Sequence, residues 1–407
     1  MPEDHGFSRP GTGAAPRPPD GAPPLARPLE GVRIADFTRI LAGPLATMVL
    51  ADLGADVIKV ERPDGGDDTR SWGPPFVGDD AAYFLSLNRN KRSIAVDLTT
   101  DEGRRTAERL IAGADVVVEN FRPGLMSRWG LGYDDLRARF PRLVYCSLLA
   151  FGEHDDDTRP GYDIIVQAVS GLMSVTGERG GEPVKVGVAL LDVVAGLYAA
   201  NGIQSALRGR DVSGRGQRLT VSLFEASVAA MVNQAANHLL GGVVPRAMGT
   251  EHPNIVPYQV FPAADRPFVL AAGNDRLFER TCDAMSRSEL ARDERFATNE
   301  ARVRNREALV SILRDAFATR TATAWLEELT SRGVPCSPVL ALDEVFATPE
   351  GAATIEQIDD PVRGMLRSVG EPIHLQGTAP VAPRPPPLLG EHTDEVLAEL
   401  DRLDDRP

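Results

Sequence analysis

The apolar run VALLDVVAG, at residues 188–196, contains one carboxylate, Asp192. An isolated ionised carboxylate is costly to bury unless it is paired, hydrogen-bonded or used in chemistry. One interpretation is structural: Asp is a favoured N-cap, so Asp192 would cap a helix that begins at Val193. The other interpretation gives the carboxylate a catalytic role at the same position. A carboxylate kept ionised by a helix N-terminus in apolar surroundings could attack a thioester as the nucleophile of an acyl transfer. The local sequence leaves both interpretations open.

Arginines that follow predicted strands indicate where an anion would bind. Arg62 comes directly after the strand-like run DVIKVE, and Arg122 and Arg128 follow the run DVVVEN. Open α/β sheets bind their ligands at the carboxyl ends of the strands, and guanidinium groups pair well with phosphates. We therefore expect an anionic ligand at this edge.

Other chemistries find little support in the sequence. The histidines are scattered, without an HExxH or GxSxG motif, and the acidic loop EHDDD at 153–157 is typical of a solvated surface, so no metal site is predicted. The turn DFTRILAGP lacks GxGxxG, which argues against a nicotinamide cofactor. The three cysteines show no CxxC spacing. They predict neither a disulfide framework nor a zinc site, and they fit a reducing cytoplasmic location.

Composition limits the partners. The chain has 407 residues and a formal net charge of -14, which argues against a nucleic-acid or acidic-membrane partner. It shows no run of about 18 apolar residues, so we expect no membrane span. Residues 1–27 are rich in Pro, Gly and Ala and are predicted to be a disordered tail outside catalysis.

The order of predicted elements indicates an α/β fold. Strand-like runs alternate with helical patterns from residue 28 to about 150, which predicts a doubly wound, mostly parallel sheet. From about residue 250 the strands become shorter and proline more frequent. The predicted domains are a tail at 1–27, a large α/β domain at 28–225, a linker helix at 226–249, a smaller α+β domain at 250–330, and at 331–407 a connector that returns to the large domain.

Several motifs occur in one order and spacing. They are ADFTRILAGPLATMVLADLGADVIKVERP, NRNKRSIAVDL, VENFRPG, GYDIIVQAVSG, SGRGQ and SLFEA. In these motifs the chain resembles the family III CoA-transferases of the CaiB/BaiF type, from residue 28 to 400. GTEHPNIVPYQ, AAGNDRLFERTCDAM and RPPPLLGEHT look most similar to the succinyl-CoA:hydroxymethylglutarate (glutarate) branch. The resemblance implies a Rossmann-like CoA-binding large domain, a smaller second domain and an interlocked homodimer.

The resemblance also implies a mechanism and a set of site residues. Asp192 falls where the family has its catalytic aspartate, which forms anhydride and aspartyl-CoA thioester intermediates while CoA passes from an acyl-CoA to a carboxylic or dicarboxylic acid. No metal and no tightly bound cofactor are implied, since CoA and acyl-CoA are substrates. Asp163 takes the place of an acidic partner. The implied CoA contacts are Ile40, Ala42, Arg62, Val96, Asn120, Phe121, Arg128, Trp129 and Tyr162.

Two alternatives remain. The same superfamily contains α-methylacyl-CoA racemases, which also have the aspartate but use a histidine where this chain has Tyr162. Because tyrosine has a pKa of about 10, it is a poor base at neutral pH, and transfer is preferred over racemisation. A noncatalytic CoA-binding protein is the other alternative. Leu41 stands where formyl-CoA transferase has a glutamine, so the acceptor acid is left open.

Overall fold

The computed structural model describes residues 25–152, 159 and 161–404. The chain forms two compact units and crosses between them four times. The first unit comprises the described residues up to Ser170, then Gly187–Ala230, and the residues from Pro349 onward; the second comprises Gly171–Val186 and Met231–Thr348. These crossings differ from the predicted boundaries at 225, 250 and 330. Most of the tail 1–27 and the acidic loop 153–157 lie outside the described residues.

The first unit is built on a six-stranded sheet. Its strands are β1 (Arg33–Asp36), β2 (Asp56–Glu61), β3 (Lys91–Ala95), β4 (Val116–Glu119), β5 (Val144–Leu149) and β6 (Arg218–Ser222). They pair in the order β3-β2-β1-β4-β5-β6, and every pairing is parallel. This confirms the predicted parallel sheet, and the order is that of a doubly wound nucleotide-binding fold.

Helices and two small hairpins complete the first unit. The helices are Ala42–Asp52, Ala82–Leu85, Asp101–Ala112, Leu125–Arg128, Tyr133–Leu136, Asp163–Val169, Leu190–Ser213, Leu223–Ala230, Pro349–Ala353 and Thr393–Asp404, with a 3-10 turn at Asp68–Ser71. The hairpins pair Phe76–Val77 with Asp80–Ala81 and Ile355–Asp360 with Gly364–Val369.

One face of the parallel sheet packs on the helices Asp101–Ala112 and Thr393–Asp404. Leu110 and Ile111 of the first and Leu400 of the second are buried against strand residues such as Ile58. Each such aliphatic side chain contributes about 1.5–3 kcal/mol when it is removed from water. This packing holds the strand ends, and the loops that follow them, in fixed positions.

The helix Leu190–Ser213, called the long helix below, corrects the predicted helix. It begins three residues before Val193 and continues past Gly209 to Ser213, with Ala189 as its N-cap. Gly214 ends it at φ 73°, a left-handed conformation that glycine adopts without strain. By length and composition this helix could cross a membrane. However, nine of its 24 residues, among them Leu191, Ala199 and Ile203, are buried inside the structure.

The second unit is built on a three-stranded antiparallel sheet. Its strands are Tyr258–Phe261, Phe268–Ala271 and Cys336–Pro338, with Phe268–Ala271 in the centre. Around Phe317, the rings of Phe261 and Trp325 lie with centroids 5.1 Å away and that of Phe268 at 5.2 Å. The helices are Leu172–Val175, Val232–Leu239, Asp275–Ala284, Asn299–Arg304, Arg306–Phe317, Ala322–Ser331 and Leu342–Ala347, with a 3-10 turn at Ser288–Arg292.

Candidate active site

A cavity of about 260 Å³ lies at the carboxyl ends of the central strands of the parallel sheet. Its walls come from the loops that follow β1, β2, β3 and β4, so it lies where the strand order reverses between β1 and β4. Open α/β sheets bind ligands at this position. Four of the residues predicted from the sequence line the cavity: Arg62, Val96, Phe121 and Trp129.

Two aromatic rings and a guanidinium form one wall of this cavity. Phe121 and Trp129 meet edge to face, with centroids 5.5 Å apart. The Arg39 guanidinium carbon lies 5.6 Å from the centre of the Phe121 ring. Flat apolar surfaces next to a cation are suited to a planar, electron-rich ring.

Two arginines lie at the mouth of the cavity. Arg39 and Arg62 both pair with the Asp68 carboxylate, at 3.1 and 2.8 Å. Their guanidinium groups are suited to phosphate oxygens, and the exposed Asp97 also lines the cavity. Arg39 was missed from the sequence, although it follows β1 as Arg62 follows β2. Arg128 is exposed and is not among the residues that line the cavity.

Two polar side chains hold the loop that follows β1. The Asn120 amide accepts from the Arg39 N–H at 2.9 Å and donates to the Arg39 carbonyl at 2.8 Å. Ile40 has φ 73°, a strained conformation for a β-branched residue, and its N–H donates to both Asp67 carboxylate oxygens at 3.2 Å. The structure therefore gives Asn120 a clamping role that the sequence interpretation had not included.

Buried charges support this loop from below. Lys59 donates to the Thr38 carbonyl at 2.8 Å and pairs with Asp67 at 2.9 Å, and both charged side chains are fully buried. Burial alone would raise the pKa of Asp67, but Lys59 and the hydrogen bonds from Thr69 lower it to about 2. Asp67 is therefore ionised at neutral pH and can hold Ile40. The sequence analysis did not identify this pair.

Asp192 is the third residue of the long helix and is half-buried. The prediction that it caps the helix is wrong. Instead, the buried Asp163 accepts from the Leu191 N–H at 2.8 Å and satisfies one of the free donors of the first turn. The cap thus comes from another segment of the chain, the helix Asp163–Val169, and no described hydrogen bond engages the Asp192 carboxylate.

The electrostatic environment of Asp192 also differs from the prediction. Burial first, and the Asp163 carboxylate second, raise the pKa of Asp192 from 3.8 to about 7. The sequence predicts the opposite, that the helix N-terminus favours the ionised form. At neutral pH a substantial part of Asp192 is ionised, and this carboxylate is more basic than an ordinary aspartate, which suits a nucleophile or general base.

Two tyrosines belong to the surroundings of Asp192. Tyr162, which the sequence predicted, is the N-cap of the helix Asp163–Val169 and is 54% exposed. Tyr83, which no sequence signal indicated, packs edge to face on Trp72 at 5.6 Å. Burial and the charges of Asp192 and Asp163 raise the pKa of Tyr83, so it remains a neutral phenol that can donate a hydrogen bond.

A close backbone contact joins the long helix to the helix that follows the cavity loop. Gly196, one turn after Asp192, faces Ala42, the first residue of the helix Ala42–Asp52. A Cβ atom at Gly196 would lie 2.7 Å from the Ala42 carbonyl oxygen. Ala42 follows the clamped residues Arg39 and Ile40, so the first turns of the long helix lie beside the segment that follows the cavity loop. Within the described residues, no group of three or more His, Cys, Asp and Glu side chains is placed to hold a metal ion.

Comparisons with known proteins agree with this interpretation of the site. The family model described as CoA-transferase family III matches residues 29–393. The chain is 43% identical to the succinyl-CoA:glutarate CoA-transferase of Homo sapiens, over 93% of this chain and 87% of the relative. It is also 43% identical to the succinate–glutarate CoA-transferase of Agrobacterium fabrum, over 93% and 96%. The crystal structure of a CAIB/BAIF family protein from Brucella suis superposes with a TM-score of 0.81 at 44% identity, covering 93% of this chain and 100% of that one.

Proposed function

Since this chain belongs to CoA-transferase family III, we propose that it moves CoA from succinyl-CoA to glutarate or a related dicarboxylic acid, with Asp192 as the nucleophile. The names of the human and Agrobacterium relatives support the donor and the acceptor. The observation that carries the assignment of Asp192 is its position: half-buried, without a described hydrogen bond, and with a pKa raised to about 7.

The proposed reaction proceeds through covalent intermediates on Asp192. The carboxylate attacks the thioester carbonyl of succinyl-CoA, the C–S bond breaks, and CoA leaves as a thiolate. The thiolate attacks the Asp192 carbonyl of the mixed anhydride, which releases succinate and leaves an aspartyl-CoA thioester. The acceptor carboxylate then displaces the thiolate, and the thiolate attacks the acceptor's carbonyl and regenerates Asp192. Dividing the exchange in this way lowers each barrier and conserves the thioester.

The surrounding residues have separate roles in this proposal. The wall of Phe121 and Trp129 receives the adenine ring, while Arg39 and Arg62 neutralise phosphates. Tyr83, a neutral phenol within the field of Asp192, supplies a hydrogen-bond donor for an oxyanion. Tyr162, where a racemase would have histidine, is a poor base, and no observation favours racemisation.

Exchange between labelled succinyl-CoA and glutarate, with both thioesters measured by mass, tests the function. The wild-type protein is expected to form glutaryl-CoA and Asp192→Asn to lose this activity by a factor of about 1,000 or more, since the acyl intermediates cannot form. Asp211→Asn, an exposed position near the end of the same helix, is the matched control and should keep normal turnover. Wild-type turnover in Asp192→Asn would contradict the mechanism.

We also propose a homodimer in the cytoplasm. Exposed apolar side chains support self-association: Leu239 and Leu240 are 78% and 89% exposed, and Leu197 and Tyr198 on the long helix are 51% exposed. Each of these two pairs of neighbouring exposed apolar side chains, one in either unit, is a candidate contact with a second copy of the chain. Light scattering, measured as the protein elutes from a size-exclusion column, should give twice the chain mass of 43.8 kDa. The cytoplasmic location is supported by three cysteines that are all free thiols.

A further inference from the structure

The loop that follows β1, at the edge of the cavity in the first unit, holds one residue in a strained conformation. Ile40 has φ 73°, in the left-handed region that a β-branched side chain rarely adopts. Strain of this kind persists only where the surrounding structure enforces it, and it is concentrated at ligand sites. The contacts that enforce it at Ile40 therefore indicate how the cavity obtains its shape.

A buried ion pair enforces this conformation. The Ile40 N–H donates to both oxygens of the Asp67 carboxylate at 3.2 Å. Lys59 pairs with the same carboxylate at 2.9 Å and donates to the Thr38 carbonyl at 2.8 Å. The pair therefore fixes the backbone on both sides of Arg39, since it binds the carbonyl before this residue and the N–H after it.

Asp67 also fixes the carboxylate that orients the two arginines at the mouth of the cavity. It caps the 3-10 turn that begins at Asp68, where it accepts from the Thr69 N–H at 3.0 Å and from the Thr69 hydroxyl at 2.8 Å. Asp68 in turn pairs with Arg39 and Arg62. One buried carboxylate thus sets both the backbone of Arg39 and the position of the partner that the two guanidinium groups share.

Stability alone does not explain this arrangement. Lys59 is 0% exposed and Asp67 is 2% exposed, so their attraction is offset by the cost of removing both charges from water. The strain at Ile40 is a further cost. An ion pair whose hydrogen bonds hold a strained backbone beside a cavity is better explained by the geometry that it imposes there.

We propose that Asp67 is a positioning residue for CoA, which sets Arg39 and Arg62 in place for the phosphates before the ligand binds. The inference rests on the proposed function, because that function assigns the cavity to CoA. Preorganised groups bind more tightly, since the cost of ordering them is met before association. Asp67 itself has the wrong charge to attract a phosphate, so its contribution to affinity comes through the loop and the turn that it holds.

Binding of CoA to the full-length protein, measured by calorimetry without an acyl group or an acceptor acid, tests this inference. Asp67→Asn keeps the shape of the side chain but offers one oxygen to Ile40 and no charge to Lys59, so the Kd for CoA should rise about tenfold. Thr69→Val removes one donor to Asp67 and leaves every charge in place. It should weaken CoA binding about twofold to threefold, which tests the inference in a variant that keeps the buried ion pair.

The substitution Ile40→Gly distinguishes positioning from general stabilisation. Glycine adopts a positive φ without strain, so Ile40→Gly added to Asp67→Asn should recover about threefold of the lost CoA affinity. The matched control is Asp52→Asn. Asp52 is 6% exposed and pairs with the buried Arg89 at 2.6 Å, at the far end of the helix Ala42–Asp52. This control should lower the melting temperature and leave the affinity for CoA unchanged.

Kinetics give a second readout. In the transfer assay, the KM for succinyl-CoA should rise in Asp67→Asn with kcat unchanged, because the lost interaction affects binding and not the chemical step. An equal or higher CoA affinity in Asp67→Asn would overturn the inference, as would an equal loss in Asp52→Asn or the absence of any recovery with Ile40→Gly. A wild-type protein that binds no CoA would overturn it as well. A wild-type protein that binds CoA but transfers none would count against the proposed function alone.

Discussion

The substitution Asp163→Asn should shift the pH dependence of the reaction to lower pH. Asp163 has two effects on Asp192: its oxygen caps the first turn through the Leu191 N–H, and its negative charge raises the pKa of Asp192. Asparagine keeps the oxygen that accepts from Leu191 and removes the charge; its amide nitrogen replaces the oxygen that accepts from the Gln167 amide, which can turn over to present its own oxygen. Since the nucleophile reacts as the carboxylate, a lower pKa for Asp192 increases the reactive fraction in mildly acidic solution.

The size of this effect follows from the two causes of the shift. The pKa of Asp192 rises from 3.8 to about 7, with burial as the larger cause and Asp163 as the smaller. If the charge of Asp163 accounts for about one of these units, its removal lowers the pKa to about 6. At pH 6 the ionised fraction then increases from about one tenth to about one half, so the rate increases about fivefold, whereas at pH 8 it hardly changes.

The assay is kcat/KM for succinyl-CoA, with glutarate as acceptor, from about pH 5 to about pH 9. Asp163→Ala is the matched variant: it removes both the charge and the cap, so it should share the pH shift and in addition melt at a lower temperature, by the equivalent of about 1 kcal/mol. An apparent pKa that stays the same in Asp163→Asn, or moves to higher pH, would refute the electrostatic coupling.

Three further substitutions test Asp192 and the residues that hold the loops and helices around it in place. The pKa of Asp192 is raised in the folded protein, so its contribution to stability is complete below about pH 4 and is lost as the pH rises through about 7. Asp192→Asn should therefore have a higher melting temperature than the wild type at pH 8. In acid the two melting temperatures should become equal. Gly196→Ala places a Cβ 2.7 Å from the Ala42 carbonyl oxygen and should lower the free energy of unfolding by about 1–3 kcal/mol, measured by thermal unfolding. Gly209→Ala is the control: the atom nearest to its new Cβ would be 3.7 Å away, so this substitution should stabilise the same helix slightly. Asn120→Ala leaves both backbone groups of Arg39 without partners and should raise the KM for succinyl-CoA with little change in kcat; an unchanged KM would remove Asn120 from the binding loop.

The sheet could be predicted because each of its strands is a short run of apolar residues between turn signals. DVIKVE became β2 without a change in its bounds, and of the three arginines predicted after β2 and β4, Arg62 lines the cavity whereas Arg122 and Arg128 do not. The same runs did not indicate that Lys59 and Lys91 are fully buried in strands and pair there with carboxylates. A lysine in a strand is ordinarily exposed, and only tertiary structure shows which carboxylate pairs with it.

The helix start was mispredicted for a related reason. Local sequence offered Asp192 as the only polar residue able to cap the long helix, but the actual cap, Asp163, lies 28 residues from the N–H that it accepts. Propensity rules apply to the segment itself and cannot include a side chain from another helix. The assignment of Asp192 as nucleophile does not depend on this cap, because it came from the order of motifs along the whole chain, and it stays a prediction.

Capping by Asp163 in place of Asp192 has a chemical consequence. A carboxylate that caps a helix uses its lone pairs on N–H donors, and those hydrogen bonds stabilise the ionised form and lower its pKa. Such a carboxylate would be a weaker nucleophile. Because Asp163 accepts from the Leu191 N–H, Asp192 does not serve as the cap, and burial together with the Asp163 charge raises its pKa to about 7. The two aspartates thus have separate roles: Asp163 holds the helix, and Asp192 keeps the basicity that the proposed acyl transfer needs.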